Sequence, residues 1–221
     1  MKAIIFPTRG EVTYASLPDP VAGNGEVVIA VKASGLCHTD FEVLKANYGT
    51  SAFPVVPGHE YAGVVADVGP GVTGFAVGER VVVDPNLECG TCRACLRGWA
   101  HLCDSLGAYG VTENGGFAEF SRVKASALHR IGDMDFSIAA LCEPMGCVLN
   151  GLDAVRSPIT DNALIFGAGP MGLLLAMALS ARNVPDIVFT DIDDTRLELA
   201  ASFGFNFVTS GSSQLAALHH G

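Results

Sequence analysis

The chain has 221 residues, of which 49% are hydrophobic and 16% charged, with a formal net charge of -10 at pH 7. That composition predicts a folded globular protein and excludes a disordered one. The acidic balance argues against nucleic acid or an anionic membrane as partner, since both require a basic face. The first twelve residues, MKAIIFPTRGEV, lack the apolar core and cleavage pattern of a secretory signal. The longest apolar run, Met171 to Ala181, covers about eleven residues, where a membrane span needs roughly 20. A cytoplasmic, reducing compartment is therefore expected, with the 7 cysteines kept as thiols.

Residues 1 to about 130 read as short strands and turns. VVIAVKASG (27–35), the Val64–Val65 stretch and RVVVD (80–84) are β-branched runs bounded by Gly, Pro and Asp. GPGVTGFAVGER (69–80) reads as tight turns between strands. Residues 135–161 are mixed, with a connecting helix expected near Met145–Val155. From Ala163 the texture changes. ALIFGAGPMG is a buried strand running into a glycine loop, and MGLLLAMALSA is a helix apolar nearly all round. DIVFTD follows as a strand, RLELAASFG as a helix stopped by Gly204, and FNFV as the start of a third strand. Strands alternating with helices predict a parallel, doubly wound sheet. The expected division is residues 1–150, with a cysteine lobe at 85–105, and residues 151–221. A doubly wound domain of two halves needs about six strands, and about three fit after Ala163, so the chain reads as a truncated form or part of a longer enzyme.

Within CGTCRACLRGWAHLC, the thiols of Cys89, Cys92, Cys95 and Cys103 can close a tetrahedral shell around one soft, redox-silent cation, with zinc the usual choice. The stretch is too polar and glycine-rich for packed core. Spacings of two intervening residues suit a metal better than mutual disulfides, the alternative reading. A closed four-thiolate site leaves no position for substrate, so its expected role is structural.

Gly167-Ala-Gly169-Pro-Met171-Gly172 is a GxGxxG between an apolar strand and a helix, the context in which that pattern denotes dinucleotide binding. Gly167 permits the turn, Gly169 lets the backbone approach a pyrophosphate, and Gly172 lets the helix pack close to the strand. Asp191 ends the next strand, where a carboxylate accepts the ribose hydroxyls of NAD and repels the extra phosphate of NADP. Arg196, five residues on, can accept that phosphate or contact the adenosine end; NAD is the expected cofactor. A second constellation is dispersed: Cys37-His38-Thr39-Asp40, Gly58-His59-Glu60 and Cys142-Glu143-Pro144. One thiolate, one imidazole and carboxylates make a mixed shell in which water can hold a place, as an open catalytic zinc site requires. Val43, Tyr48 and Phe53 are candidates both for shaping a pocket and for core.

The motifs CHTD (37–40), GHEYAGVVADVG (58–69), the cysteine lobe, NGGFAEF (114–120), CEP (142–144) and GAGPMG with Asp191 together resemble the zinc-containing medium-chain alcohol and polyol dehydrogenases, sorbitol dehydrogenase among them. The resemblance implies a GroES-like β-barrel-type catalytic domain followed by a Rossmann domain, two zinc ions per chain, NAD, a small alcohol or polyol substrate, and a homo-oligomer at full length. It implies Cys37, His59 and Glu60 as catalytic zinc ligands and Glu143 as the glutamate beside them; Cys142, one residue away, is the alternative. Asp40 would hold the His59 ring, Thr39 would pass the substrate proton outward, and His38 would lie near the cofactor phosphates. Where many members complete a proton relay with histidine, this chain has Glu42. The implied activity is transfer of a hydride from a secondary alcohol, such as a sugar alcohol, to NAD. Alternatives are a threonine- or glucose-type dehydrogenase of the same family, or a non-catalytic zinc and nucleotide-binding module.

Overall fold

The computed structural model describes residues 1–47, 52–155 and 162–209, and Tyr48 lies outside them. The chain divides into two compact units, Met1–Glu143 and Pro144–Gly221.

In the first unit, β1 (Lys2–Ile5) and β2 (Thr13–Ser16) pair antiparallel, followed by β3 (Glu26–Ser34), α1 (His38–Leu44), β4 (Tyr61–Val68) and β5 (Arg80–Val83). The short pair β6 (Asn86–Leu87) and β7 (Gly107–Ala108) brackets the four-cysteine loop, and β8 (Phe120–Lys124), β9 (Leu128–Arg130) and α2 (Phe136–Ala140) complete it. Five strands form an antiparallel sheet in the order β8-β3-β4-β5-β9. Successive strand residues point to opposite faces, so Val27 and Ile29 of β3, Tyr61 and Val65 of β4, and Val81 and Val83 of β5 fill one core. The intervening Ala62 and Val82 meet Ala139 of α2 on the other face. Both faces are therefore covered, which is why these strands read as continuous β-branched runs rather than as alternation.

Helix α1 interrupts what the sequence suggested was all strand and turn. Its start is fixed by a capping box in which Cys37 N donates to Asp40 Oδ2 at 2.9 Å. This spares helix-end groups from burial without partners. Val43 is fully buried with Phe6, Val55 and Val111, and Phe53 packs against the same cluster. Both residues are core.

Helix α3 (Cys142–Ala154) runs across the boundary, three residues longer at its start than the apolar pattern suggested. The second unit continues with β10 (Asn162–Phe166), α4 (Pro170–Ala181), β11 (Asp186–Asp191), α5 (Asp194–Ser202) and β12 (Asn206–Thr209). The three strands pair parallel in the order β10-β11-β12. Phe189 and Leu197 are fully buried among Ile165, Leu174 and Leu179. Asp193 caps α5 by accepting from Thr195 N at 2.9 Å, and Gly204 at φ +87° follows its end. An apolar groove of about 620 Å³ lies beside β10, lined by Leu152, Val155, Ile165 and Leu175, with Met171 at its rim. Among the described residues, no helix is long and apolar enough to cross a membrane.

Candidate active site and dinucleotide loop

Cys37, His59 and Glu60 converge. One ligand atom from each lies within 4.8 Å of the others, although the residues come from the cap of α1 and the turn into β4. His59 and Glu60 are each only 7% exposed. Asp40 organises the site. Its Oδ2 accepts from Cys37 N, its Oδ1 accepts from Gly58 N at 3.1 Å, and Oδ1 lies 3.5 Å from His59 Nδ1. Burial alone would lower the His59 pKa; the Asp40 carboxylate, with Cys37 beside it, outweighs that and raises it to about 9. Gly58 makes the turn at φ +90°, and a Cβ there would fall 2.5 Å from the Phe117 ring, so both backbone and packing demand glycine.

Among the described residues, the buried Glu60 carboxylate has no hydrogen-bond donor and no ion-pair partner. A thiolate, an imidazole and a carboxylate whose ligand atoms lie within 4.8 Å of one another make a donor set that a cation can complete. The donor set therefore fits zinc. Gly35 leaves the space for Glu60: a Cβ there would lie 2.2 Å from Glu60 Oε2. In sequence, Gly35 is only a glycine ending a strand; its role as a cradle for the carboxylate is visible only in the fold.

The surrounding residues fall into place to different degrees. The Thr39 hydroxyl lies 3.6 Å from Cys37 Sγ. Glu143, in the first turn of α3, is half-buried, and desolvation raises its pKa while His59 opposes and Glu60 and Asp84 reinforce the rise. It faces these charges without belonging to the group that closes within 4.8 Å; Cys142 is exposed and is also outside that group. Glu42 accepts from Asn47 at 2.9 Å and from Lys45 at 3.1 Å, and these contacts hold its pKa down. His38 is exposed, its Nε2 3.5 Å from Glu42 Oε1. A cavity of about 820 Å³ in this unit runs along β8 and the start of the cysteine loop and includes none of Cys37, His59 or Glu60.

The four lobe cysteines also converge, all as free thiols within 4.8 Å. Cys92 and Cys95 Sγ are 3.4 Å apart, and Cys89 and Cys95 Sγ 3.9 Å. Backbone N–H groups point at sulfur, from Cys92 to Cys89 Sγ at 3.3 Å and from Cys89 to Cys103 Sγ at 3.3 Å. The Thr91 backbone and hydroxyl lead in lowering the Cys89 pKa to about 5, while desolvation and then the Cys92 sulfur push Cys95 up to about 12. Four sulfurs this close cannot all carry charge without a cation among them, and the cage fits one zinc ion.

In the second unit, the glycine loop and Asp191 form one structure. Gly167 turns at φ +103°, Gly169 caps α4, and Pro170 opens the helix, where its missing N–H costs nothing. A Cβ on Gly172 would lie 2.0 Å from Gly167 O. Asp191 Oδ2 accepts from Ala168 N at 2.7 Å and Oδ1 from Asp193 N at 3.0 Å. These backbone donors, the Ala168 N–H foremost, hold its pKa below the usual carboxylate range, so it stays charged. Arg196 Nη1 stands 4.0 Å from Asp191 Oδ2, and Met171 is half-exposed at the first turn of α4.

A buried mixed-donor cluster and a four-thiolate loop on an antiparallel sheet, with a glycine loop opening a parallel sheet, define a class. Residues 23–133 match the alcohol dehydrogenase GroES-like domain, and the chain belongs to that family, the zinc-containing medium-chain dehydrogenases, with its parallel sheet a partial Rossmann domain. It is similar to the D-altritol 5-dehydrogenase of Agrobacterium fabrum (strain C58), 51% identical over 220 residues, which are 98% of this chain and 66% of that protein. It superposes on a dehydrogenase (rspB) of Escherichia coli CFT073 complexed with NADH at TM-score 0.87 and 32% identity, over 98% of this chain and 64% of that one. A thermostable alcohol dehydrogenase of Pyrobaculum aerophilum with cobalt and zinc bound gives TM-score 0.80 and 32% identity, over 95% and 65%. The chain thus spans about two thirds of the length of the proteins it matches.

Proposed function

We propose that this chain carries the metal and dinucleotide-loop portions of an NAD-dependent dehydrogenase that oxidises a secondary alcohol of a polyol to a ketone. The observation that carries this reading is the convergence of one ligand atom each from Cys37, His59 and Glu60 within 4.8 Å. Two zinc ions per chain are proposed, one in the mixed cluster and one in the four-cysteine lobe. Cys37, His59 and Glu60 would hold a zinc ion, which when bound would supply Lewis-acid polarisation of an alcohol oxygen.

The chain's own groups do the rest. Asp40, its Oδ1 3.5 Å from His59 Nδ1, would help orient the ring of a residue that would hold the metal. The Thr39 hydroxyl, 3.6 Å from Cys37 Sγ, would take the substrate proton while passing its own outward. Glu143, its proton affinity raised by desolvation, provides a second acceptor close to His59 and Glu60. Gly167, Gly169, Met171 and Gly172 would present the start of α4 to the pyrophosphate, Asp191 would accept the ribose hydroxyls, and Arg196 would contact the adenosine end. The charge on Asp191 favours NAD over NADP. The likeness to a D-altritol dehydrogenase supports a hexitol as substrate.

Metal content and NAD titration test the reading. Two zinc ions in the wild-type chain, one in Cys37→Ser, and NAD binding unchanged between them are the expected results, with NAD reduction by a hexitol panel where the protein turns over. One zinc in the wild type and no NAD binding would leave a non-catalytic module as the better account.

A further inference from the structure

We infer that the turn Asn114-Gly115-Gly116-Phe117 is a positioning element for the Cys37–His59–Glu60 cluster, an inference that rests on the metal reading above. None of the four residues belongs to the cluster, yet the turn is bound along its whole length to the segment that delivers His59 and Glu60. Asn114 Oδ1 accepts from Val56 N at 2.9 Å, Gly115 N donates to Val56 O at 2.7 Å, Phe117 N to Pro57 O at 2.9 Å, and Gly116 N to Gly58 O at 2.8 Å. The fit is close on both flanks of the ligand pair. A Cβ on Gly115 would lie 2.1 Å from Gly58 O, and one on Gly116 2.4 Å from Cγ of the buried Tyr61. The Phe117 ring fills the space that any side chain at Gly58 would need.

The consequence is specific to one peptide. Gly58 gives its N–H to Asp40 and its carbonyl to Gly116, so its left-handed conformation is clamped from two separate elements. Asp40 also binds Cys37 N and faces His59. The direction in which His59 and Glu60 leave the turn is therefore set jointly by α1 on one side and the 114–117 turn on the other. Asn114 is exposed, and its side-chain oxygen is the one contact in the set that can be removed without disturbing packing. Partners that orient metal ligands from outside the coordination sphere typically change metal affinity by about 10–100-fold when lost.

Cobalt(II) replacement in the whole chain tests this, because a four-thiolate ion and a one-thiolate ion absorb differently and can be followed separately. Under chelator competition, Asn114→Ala should lose the mixed-donor cobalt about tenfold more readily. The four-thiolate bands should stay at wild-type values, the metal-free protein should melt only slightly lower because the Val56 N–H loses its acceptor, and Asn114→Asp, which keeps the acceptor oxygen, should restore both affinity and melting temperature. Equal weakening at both sites, no weakening at either, or failure of Asn114→Asp to restore affinity would overturn the positioning role. A wild-type chain that never develops the one-thiolate spectrum would sink the metal reading itself, and this inference with it.

Discussion

The two cysteine-bearing clusters of the first unit solve the same problem in opposite ways. In the 89–103 lobe, four like donors sit on one short loop, and neighbouring backbone N–H groups stabilise the sulfurs. Around Cys37, three unlike donors arrive from two elements and are aligned by Asp40, Gly58 and the space left by Gly35. Local assembly gives a closed shell suited to stability. Assembly through the fold gives a mixed shell in which one position can stay open for substrate. The lesson is that ligand chemistry and sequence span together separate a donor set suited to a structural metal from one suited to a chemical one.

The largest expected effect separates the two outright. Cys37→Ser or His59→Ala should abolish turnover with little change in melting temperature, whereas Cys95→Ser should lower the melting temperature before chemistry is touched, by roughly 6–12 °C for a loss of about 3 kcal/mol. Calorimetry beside activity decides this; an unchanged melt with lost activity in Cys95→Ser would erase the distinction. Next is Gly58→Ala. Its strained backbone alone costs about 1–3 kcal/mol, and contact with Phe117 adds to that, so loss of the mixed-donor metal should accompany a lower melt. A variant with full metal content at that site would show that the turn is not what aligns the ligands.

Asp191→Ala carries the comparison to the second unit. It should weaken NAD by about tenfold or more and NADP far less, narrowing the preference; isothermal titration with both cofactors measures it, and an unchanged ratio would remove Asp191 from the specificity argument. The smallest effect concerns Asp135, which caps α2 by accepting from Ser137 N at 2.8 Å. That bond foremost holds its pKa below the usual carboxylate range. Its stabilisation is therefore full above about pH 4, the ordinary aspartate value, and fades as pH falls through the folded-state value. The difference in melting temperature between wild type and Asp135→Ala should shrink toward zero in acid; a difference that persists would mean the cap works without its charge.

Much of this was legible in the residue order because the physics was local. β-branched runs, the glycine loop with its following helix, and four cysteines within fifteen positions depend on neighbours in the chain, so β3, β5, α4 and β10 to β12 lie where their patterns place them. Helix α1 was less legible, since its seven residues carry no periodic apolar stripe and its start rests on one carboxylate reaching back to Cys37. Val43 and Phe53 looked equally suited to core or pocket, and only packing against Phe6, Val55 and Val111 assigned them.

By itself, the sequence determined the donor types, the two textures of the chain and the glycine-to-aspartate spacing, because covalent neighbours and periodicity fix those. The tertiary structure alone decided that Glu60 joins Cys37 and His59 in one group and that Gly35 and the 114–117 turn shape the space around it. Such contacts link residues far apart in the chain, and no local energy term records them until the sheet has brought them together.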